Sequence, residues 1–211
     1  MKEHSERVPG KNIRVLDRRP LFCYIIDSLL ESRVEHVVIN TDSELIFDAV
    51  KAIYPWIHIF YRPEYLRGDM VTGNALIAWT LEQLNDQHFI YTHTTNPLLK
   101  PATIDAAVER YYSNIPEYDS LFGVTKYQIR LFKANGEPLN HDPANLQRTQ
   151  DLDPLYEDNS TMYIFSRDSF AKTRNRIGER PYMFEVPKAE AYDIDTEDDW
   201  KLVEAVMHCE S

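Results

Sequence analysis

The sequence predicts a three-layer α/β fold, in which a mainly parallel sheet is covered by helices on both faces. Two observations carry that expectation. From about residue 20 to residue 126, short apolar runs of strand length alternate with longer stretches whose apolar residues recur at helical spacing. The chain has 211 residues, 43% of them hydrophobic, which suffices for one well-cored domain; it shows no internal repeat, low-complexity tract or linker.

Each element can be read in order. Pro20 opens a helix, PLFCYIIDSLLES, whose Leu21, Tyr24, Ile25 and Leu29 share a face. EHVVIN (35–40) is a short buried strand, and Thr41 with Glu44 is spaced as a capping box for the helix LIFDAVKAIY. IHIFY (57–61) is a second strand. The irregular RPEYLRGDMVTG leads into a helix, NALIAWTLEQL. HFIYTH (88–93) is a third strand, followed by the loop TTNPLLK, a helix led by Pro101 and the strand DSLFGVTKY (119–127). Between 127 and 160 the rhythm gives way to an Asn-, Asp- and Pro-rich excursion. NSTMYIFS (159–166) and PYMFEVP (181–187) are strands returning to the sheet, and EDDWKLVEAVMHC is a closing helix with Thr196 as its N-cap. Ligands of such sheets sit at the carboxyl ends of the strands. The loops at 1–12, 62–73 and 92–100 are expected to meet there.

The net charge of -11 argues against nucleic acid or an anionic membrane as a partner, since both require a basic field. An anionic small molecule remains compatible, because a few local cations and one divalent metal dominate a pocket. The two cysteines, Cys23 and Cys209, follow no metal spacing. With no apolar run near the roughly 20 residues of a membrane span, and no signal-peptide stretch at the start, the expected location is the cytoplasm.

Four stretches carry chemistry. In Lys2-Glu3-His4-Ser5-Glu6-Arg7-Val8-Pro9-Gly10-Lys11-Asn12, a hydroxyl, several cations and a Pro-Gly turn suit a triphosphate cradle of backbone N–H groups and ammonium charges. The alternative is a frayed, charged terminus; a Walker A loop is absent. Arg62, in RPEYLRGD, suits bidentate contact with phosphate oxygens, or else pairs with a carboxylate on a surface loop. His93-Thr94-Thr95-Asn96-Pro97 is a polar loop at a strand end, with no base role assigned to His93. Asp193-x-Asp195 places two carboxylates on one side of an extended segment, about 7 Å apart, as two oxygen ligands for Mg²⁺ or as solvated and capping groups.

SERVPGKN resembles the signature loop of the acylneuraminate cytidylyltransferase family, roughly R-x-x-S-x-x-x-P-x-K-N, through Lys2 (in place of the common Arg), Ser5, Pro9, Lys11 and Asn12. The likeness continues in order through Ile39-Asn40-Thr41-Asp42, Arg62-Pro63-Glu64 with Gly68-Asp69, Asn96-Pro97-Leu98 and Asp193-Ile194-Asp195-Thr196. It therefore covers nearly the whole chain. Arg148 and Gln150 resemble the family's R-x-Q segment, and Asn159 with Tyr163 its N-G-x-x-Y run, with Ser160 where Gly is usual.

The resemblance implies the Rossmann-like sheet of nucleotide-diphospho-sugar transferases, and an enzyme that joins CTP to a sialic-acid-like nonulosonic acid with release of pyrophosphate. It implies that Lys2, Ser5, Lys11, Asn12, Arg62, Thr94 and Thr95 hold the nucleotide. His93, Asn96, Arg148, Gln150 and Tyr163 would hold the sugar; for Tyr163 a core strand position is the rival reading. Asp193 and Asp195 would bind Mg²⁺ and, with Lys11, carry catalysis. A homodimer is implied, with 127–160 as the candidate exchange surface. Alternatives are another acid sugar (legionaminic, pseudaminic or 3-deoxy-octulosonic acid) or a catalytically impaired nucleotide-binding domain. In the family a hydrophobic strand precedes the signature loop, whereas these residues open inside it. The first strand of the sheet is therefore expected to be missing from them, whether through an internal start or a true lack.

Overall fold

The structure is a computed structural model that describes residues 1–2, 5–68 and 70–210. Glu3, His4 and Asp69, part of the motifs above, lie outside the described residues. The chain enters through a small antiparallel pair, β1 (Val15–Leu16) and β2 (Arg19–Pro20), then α1 (Leu21–Glu31), β3 (Val38–Thr41), α2 (Glu44–Ile53) and β4 (His58–Tyr61). There follow α3 (Gly73–Glu82), β5 (His88–Thr92), α4 (Pro101–Asn114), β6 (Ser120–Tyr127), β7 (Leu155–Ser166), α5 (Arg167–Thr173), β8 (Pro181–Glu185) and α6 (Glu197–Glu210).

The three layers follow from strand alternation. Along β7, Met162 and Ile164 face a core shared with α1, α2 and α4, while Tyr163 and Phe165 face another with Ile77 and Leu81 of α3 and Phe170 of α5. All four are buried, so β7 is central and apolar on both sides. A third cluster joins Val8, Leu16 and Leu21 to Ile194, Trp200 and Val203. That contact fixes the N-terminal loop against α6.

The sheet is parallel with one exception. β3 and β4 pair in parallel, and β6 pairs in parallel with β8. β7 runs antiparallel between β5 and β6, giving the order β5-β7-β6-β8. The excursion leaves β6 at Tyr127 and returns at its register partner Leu155, at the same end of the sheet, so β7 runs back along β6, which a period-2 pattern does not reveal.

The helices that the sequence predicts start where expected except for α2, and α5 is an additional helix. Ser43, not Thr41, caps that helix by accepting from the Ile46 N–H at 3.2 Å. Thr41 ends β3, and its hydroxyl accepts from the Ser43 N–H. Thr196 caps α6 reciprocally: its hydroxyl accepts from the Asp199 N–H at 3.3 Å, and the Asp199 carboxylate accepts from the Thr196 N–H at 2.7 Å.

Among the described residues no strand joins β3–β4 to the four-stranded sheet. The inner edges of β3 and β5 instead line one cavity of about 860 Å³, with Ile25 and Leu29 of α1 and Leu76 and Ile77 of α3 among its walls. Its apolar end lies deep between the helices. The other end opens among Lys2, Ser5, Lys11, Asn12, Arg62 and Thr94.

Candidate active site

The N-terminal loop is built, not frayed. Gly10, at φ 64°, accepts from the Ile13 and Arg14 N–H groups through its carbonyl, and Val8, fully buried, accepts from Lys11 N–H. This turn carries Lys11 inward. Its ammonium donates to the Ile194 carbonyl at 2.6 Å and lies 3.5 Å from Asp195 Oδ1. Asn12 is buried: it donates to the Lys2 carbonyl at 2.8 Å and accepts from the Thr94 hydroxyl at 2.5 Å. The Ile194 N–H donates to the Thr95 carbonyl at 2.8 Å. These bonds join three separate segments (2–12, 92–97 and 191–195), of which Lys2, Ser5, Lys11, Asn12, Thr94 and Thr95 line the cavity.

The carboxylate pair sits on an unpaired connection before α6 rather than on a strand. Ile194 between them is fully buried in the α6 core. Asp195 Oδ1 meets Arg7 Nη2 at 2.8 Å as well as Lys11. Asp193 Oδ1 is buried with no hydrogen-bond partner. Burial raises the Asp193 pKa, and neighbouring Asp195 adds to the rise, while a bond from Thr95 and the Lys11 charge oppose it. The unpartnered Oδ1 of Asp193, beside the second carboxylate of Asp195, is an oxygen donor of the kind a divalent cation takes. Among the described residues no cluster of three His, Cys, Asp or Glu could hold a metal ion, so two carboxylates are what the protein would offer. That donor set fits Mg²⁺, which takes one or two carboxylates plus phosphates and waters.

Arg62 is buried, 3% exposed. Its guanidinium donates to Asp42 at 3.1 Å and to the Asn40 side chain and carbonyl. The carboxylate pairing seen as one alternative is therefore present, though inside the protein and not on its surface. Burial lowers the Arg62 pKa and Asp42 opposes the fall. It still lines the cavity mouth, so the pair fixes its place.

His93 is half-buried, with Nε2 shut off from solvent and unpartnered. Its pKa is lowered to about 4, by burial first and then by the charge of Arg176. The imidazole is neutral at pH 7. Asn96 is fully buried, donating to the Tyr192 carbonyl, and its Oδ1 also lacks a partner.

Tyr163 is a fully buried residue of β7; its hydroxyl donates to Asp158 at 2.7 Å. Arg148 and Gln150 are not brought to the cavity. Both are exposed on the excursion, where Arg148 pairs with Asp151 at 2.6 Å and the Gln150 carbonyl accepts from Gln128. A local R-x-Q pattern does not reveal that Asp151, three residues on, is the guanidinium's nearest anion.

Sequence reasoning missed Arg176. It lies between α5 and β8, lines the cavity, and places its guanidinium 4.0 Å from the Tyr163 ring centre. One lone Arg in a polar stretch gives no signal before folding.

Residues 1–208 match the profile of the family described as Cytidylyltransferase. The N-acylneuraminate cytidylyltransferase of Streptococcus agalactiae serotype V is 27% identical over 204 residues, covering 93% of this chain and 49% of the relative. The chain thus spans about half the length of that relative. The pseudaminic acid cytidylyltransferase of Campylobacter jejuni is 28% identical, with 91% of this chain and 87% of the relative covered. The CMP-N,N'-diacetyllegionaminic acid synthase of Legionella pneumophila is 28% identical, at 96% and 91%. A solved CMP:2-keto-3-deoxy-manno-octonic acid synthetase, complexed with CTP, superposes with a TM-score of 0.72 at 14% identity, covering 100% of this chain and 97% of that one. The fold of nucleotidyltransferases is shared.

Proposed function

The chain belongs to the cytidylyltransferase family, and on that premise we propose that it transfers CMP from CTP to the anomeric hydroxyl of a sialic-acid-like nonulosonic acid. The hydroxyl oxygen attacks the α-phosphorus and gives up its proton to water, the bond from that phosphorus to the oxygen bridging to the β-phosphate breaks, and pyrophosphate leaves. The observation that supports this reading is that Lys11, at the cavity mouth, is bonded to the segment bearing Asp195 and Asp193, whose Oδ1 is buried without a partner.

Lys11 and Lys2 attract the phosphates, while Ser5 and the turn amides complete the cradle. Asn12, Thr94 and Thr95 hold the nucleotide on a rigid hydrogen-bonded base, and Arg62, fixed by Asp42, supplies positive potential. Asp193 and Asp195 would hold Mg²⁺, which neutralises phosphate charge and helps orient the in-line attack when bound. Positioning and charge stabilisation then supply most of the acceleration. Cytoplasmic location is part of this proposal, and so is a homodimer through the excursion, where Phe132, Leu139 and Leu146 are exposed.

The relatives named for sialic, pseudaminic and legionaminic acids are similar to the same degree, so identity does not select the sugar. Incubation with CTP, Mg²⁺ and a panel of acid sugars, read as pyrophosphate, tests the function. Release with none of them would favour a nucleotide-binding domain without turnover. Asp195→Asn should abolish release with the melting temperature preserved; an active variant would sink the metal assignment.

A further inference from the structure

Several cations at the cavity mouth are already engaged. Lys11 is held by Asp195 and a carbonyl, and Arg62 by Asp42 and Asn40. Arg176 differs. Among the described residues no carboxylate lies within ion-pair distance of it; its side chain instead donates through Nη2 to the Tyr163 hydroxyl at 3.1 Å. The guanidinium stacks 4.0 Å from the Tyr163 ring centre and 5.7 Å from that of Tyr91. Tyr163 is in turn fixed by Asp158. The Arg176 main chain is anchored too, its N–H donating to Asn74 Oδ1.

The group is therefore preorganised by stacking, which leaves donors of its planar fork unspent. A Cβ at Gly73 would lie 2.9 Å from Arg176 Nη1, so the absence of a side chain there gives the fork its room. The neutral His93, with its orphaned Nε2, feels the Arg176 charge from the same cavity. A planar cation with free donors beside a buried, unsatisfied ring nitrogen calls for a planar anion.

We propose that Arg176 receives the carboxylate of the acid sugar, with His93 beside it, and thereby sets the preference for acid over uncharged sugars. This rests on the acid-sugar reading above and assigns the carboxylate to Arg176 in place of Arg148.

The test compares wild type with Arg176→Gln, Arg176→Lys and Arg148→Gln on an acid sugar and its uncharged C1 carboxamide, with CTP affinity measured by calorimetry. Wild type should favour the acid by about 30-fold or more in kcat/KM, the scale of losing one partner of a buried charge pair. In Arg176→Gln that ratio should fall towards one while CTP affinity changes by less than about twofold; in Arg176→Lys part of the ratio should survive. An unchanged ratio in Arg176→Gln, or a ratio lost in Arg148→Gln instead, overturns the assignment. If wild type turns over no acid sugar, the proposed function fails. The carboxylate assignment is then read from calorimetric binding of acid and amide to the same variants, where equal discrimination by wild type and Arg176→Gln overturns it.

Discussion

Replacing Ser160 by glycine should make the protein more stable. Ser160 sits within β7 at φ 57°, in the left-handed region, which costs an L-residue with a side chain roughly 1–2 kcal/mol. The turn is set by Asp158, whose Oδ1 accepts from the Ser160 N–H at 3.1 Å, and glycine keeps that bond. Glycine gives back roughly 0.5–1 kcal/mol through the greater freedom of the unfolded chain. It also loses the serine hydroxyl, which stands 3.4 Å from the Tyr163 hydroxyl; Tyr163 keeps its shorter bond to Asp158. The net gain is about 0.5–1 kcal/mol, or a rise of roughly 1–4 °C in melting temperature for a chain of this size. Calorimetry on wild type, Ser160→Gly and Ser160→Ala measures it. Alanine keeps the strain and loses the hydroxyl, so it should gain nothing. A lower melting temperature for Ser160→Gly, or equal gains for both variants, would refute the reasoning.

Asp193 has its folded pKa raised, so its contribution to stability is present below the unfolded value of roughly 3.9 and is lost as pH rises through the folded pKa. Asp193→Asn should therefore melt higher than wild type at pH 7, with the gap closing towards pH 4, while losing turnover and any stabilisation by CTP with Mg²⁺; thermal scans across pH read all three. His93, lowered to about 4, stays neutral in the folded state while the unfolded chain takes up a proton below about 6.5, so stability falls from pH 6.5 towards 4. His93→Gln should flatten that fall in urea titrations. Amide hydrogen exchange should be slowest in β6 and β7, each paired on both edges, and faster for the cavity-facing amides of β3 and β5, each paired on one edge only.

The elements were legible because their signals are local. Apolar period locates most of the helices and strands, and Thr196 marks the start of α6, while the segment that carries Asp193 and Asp195 is an unpaired connection and not a strand. Direction was not legible: alternation in NSTMYIFS is the same whichever way β7 runs, and only the route of the excursion makes it antiparallel. The cap of α2 slipped by two residues because Thr41 was needed to finish β3. Site residues whose roles depend on a distant partner were the least legible. Asn12 and Lys11 were found through a resemblance, but nothing near Arg62 announces Asp42, nothing near Arg148 shows that it stays on the exposed excursion, and nothing near Arg176 announces the Tyr163 ring.

The proposed reaction is transfer of CMP to an acid sugar beside Lys11, Asp193 and Asp195. A single-turnover reaction with CTP labelled at the α-phosphate, run with each acid sugar and with neutral hexoses, tests it most directly. Label is expected in a CMP-sugar for at least one acid sugar, with none for neutral hexoses and none in Asp195→Asn. Label that never leaves CTP with any acid sugar, or that passes equally to neutral sugars, would contradict it.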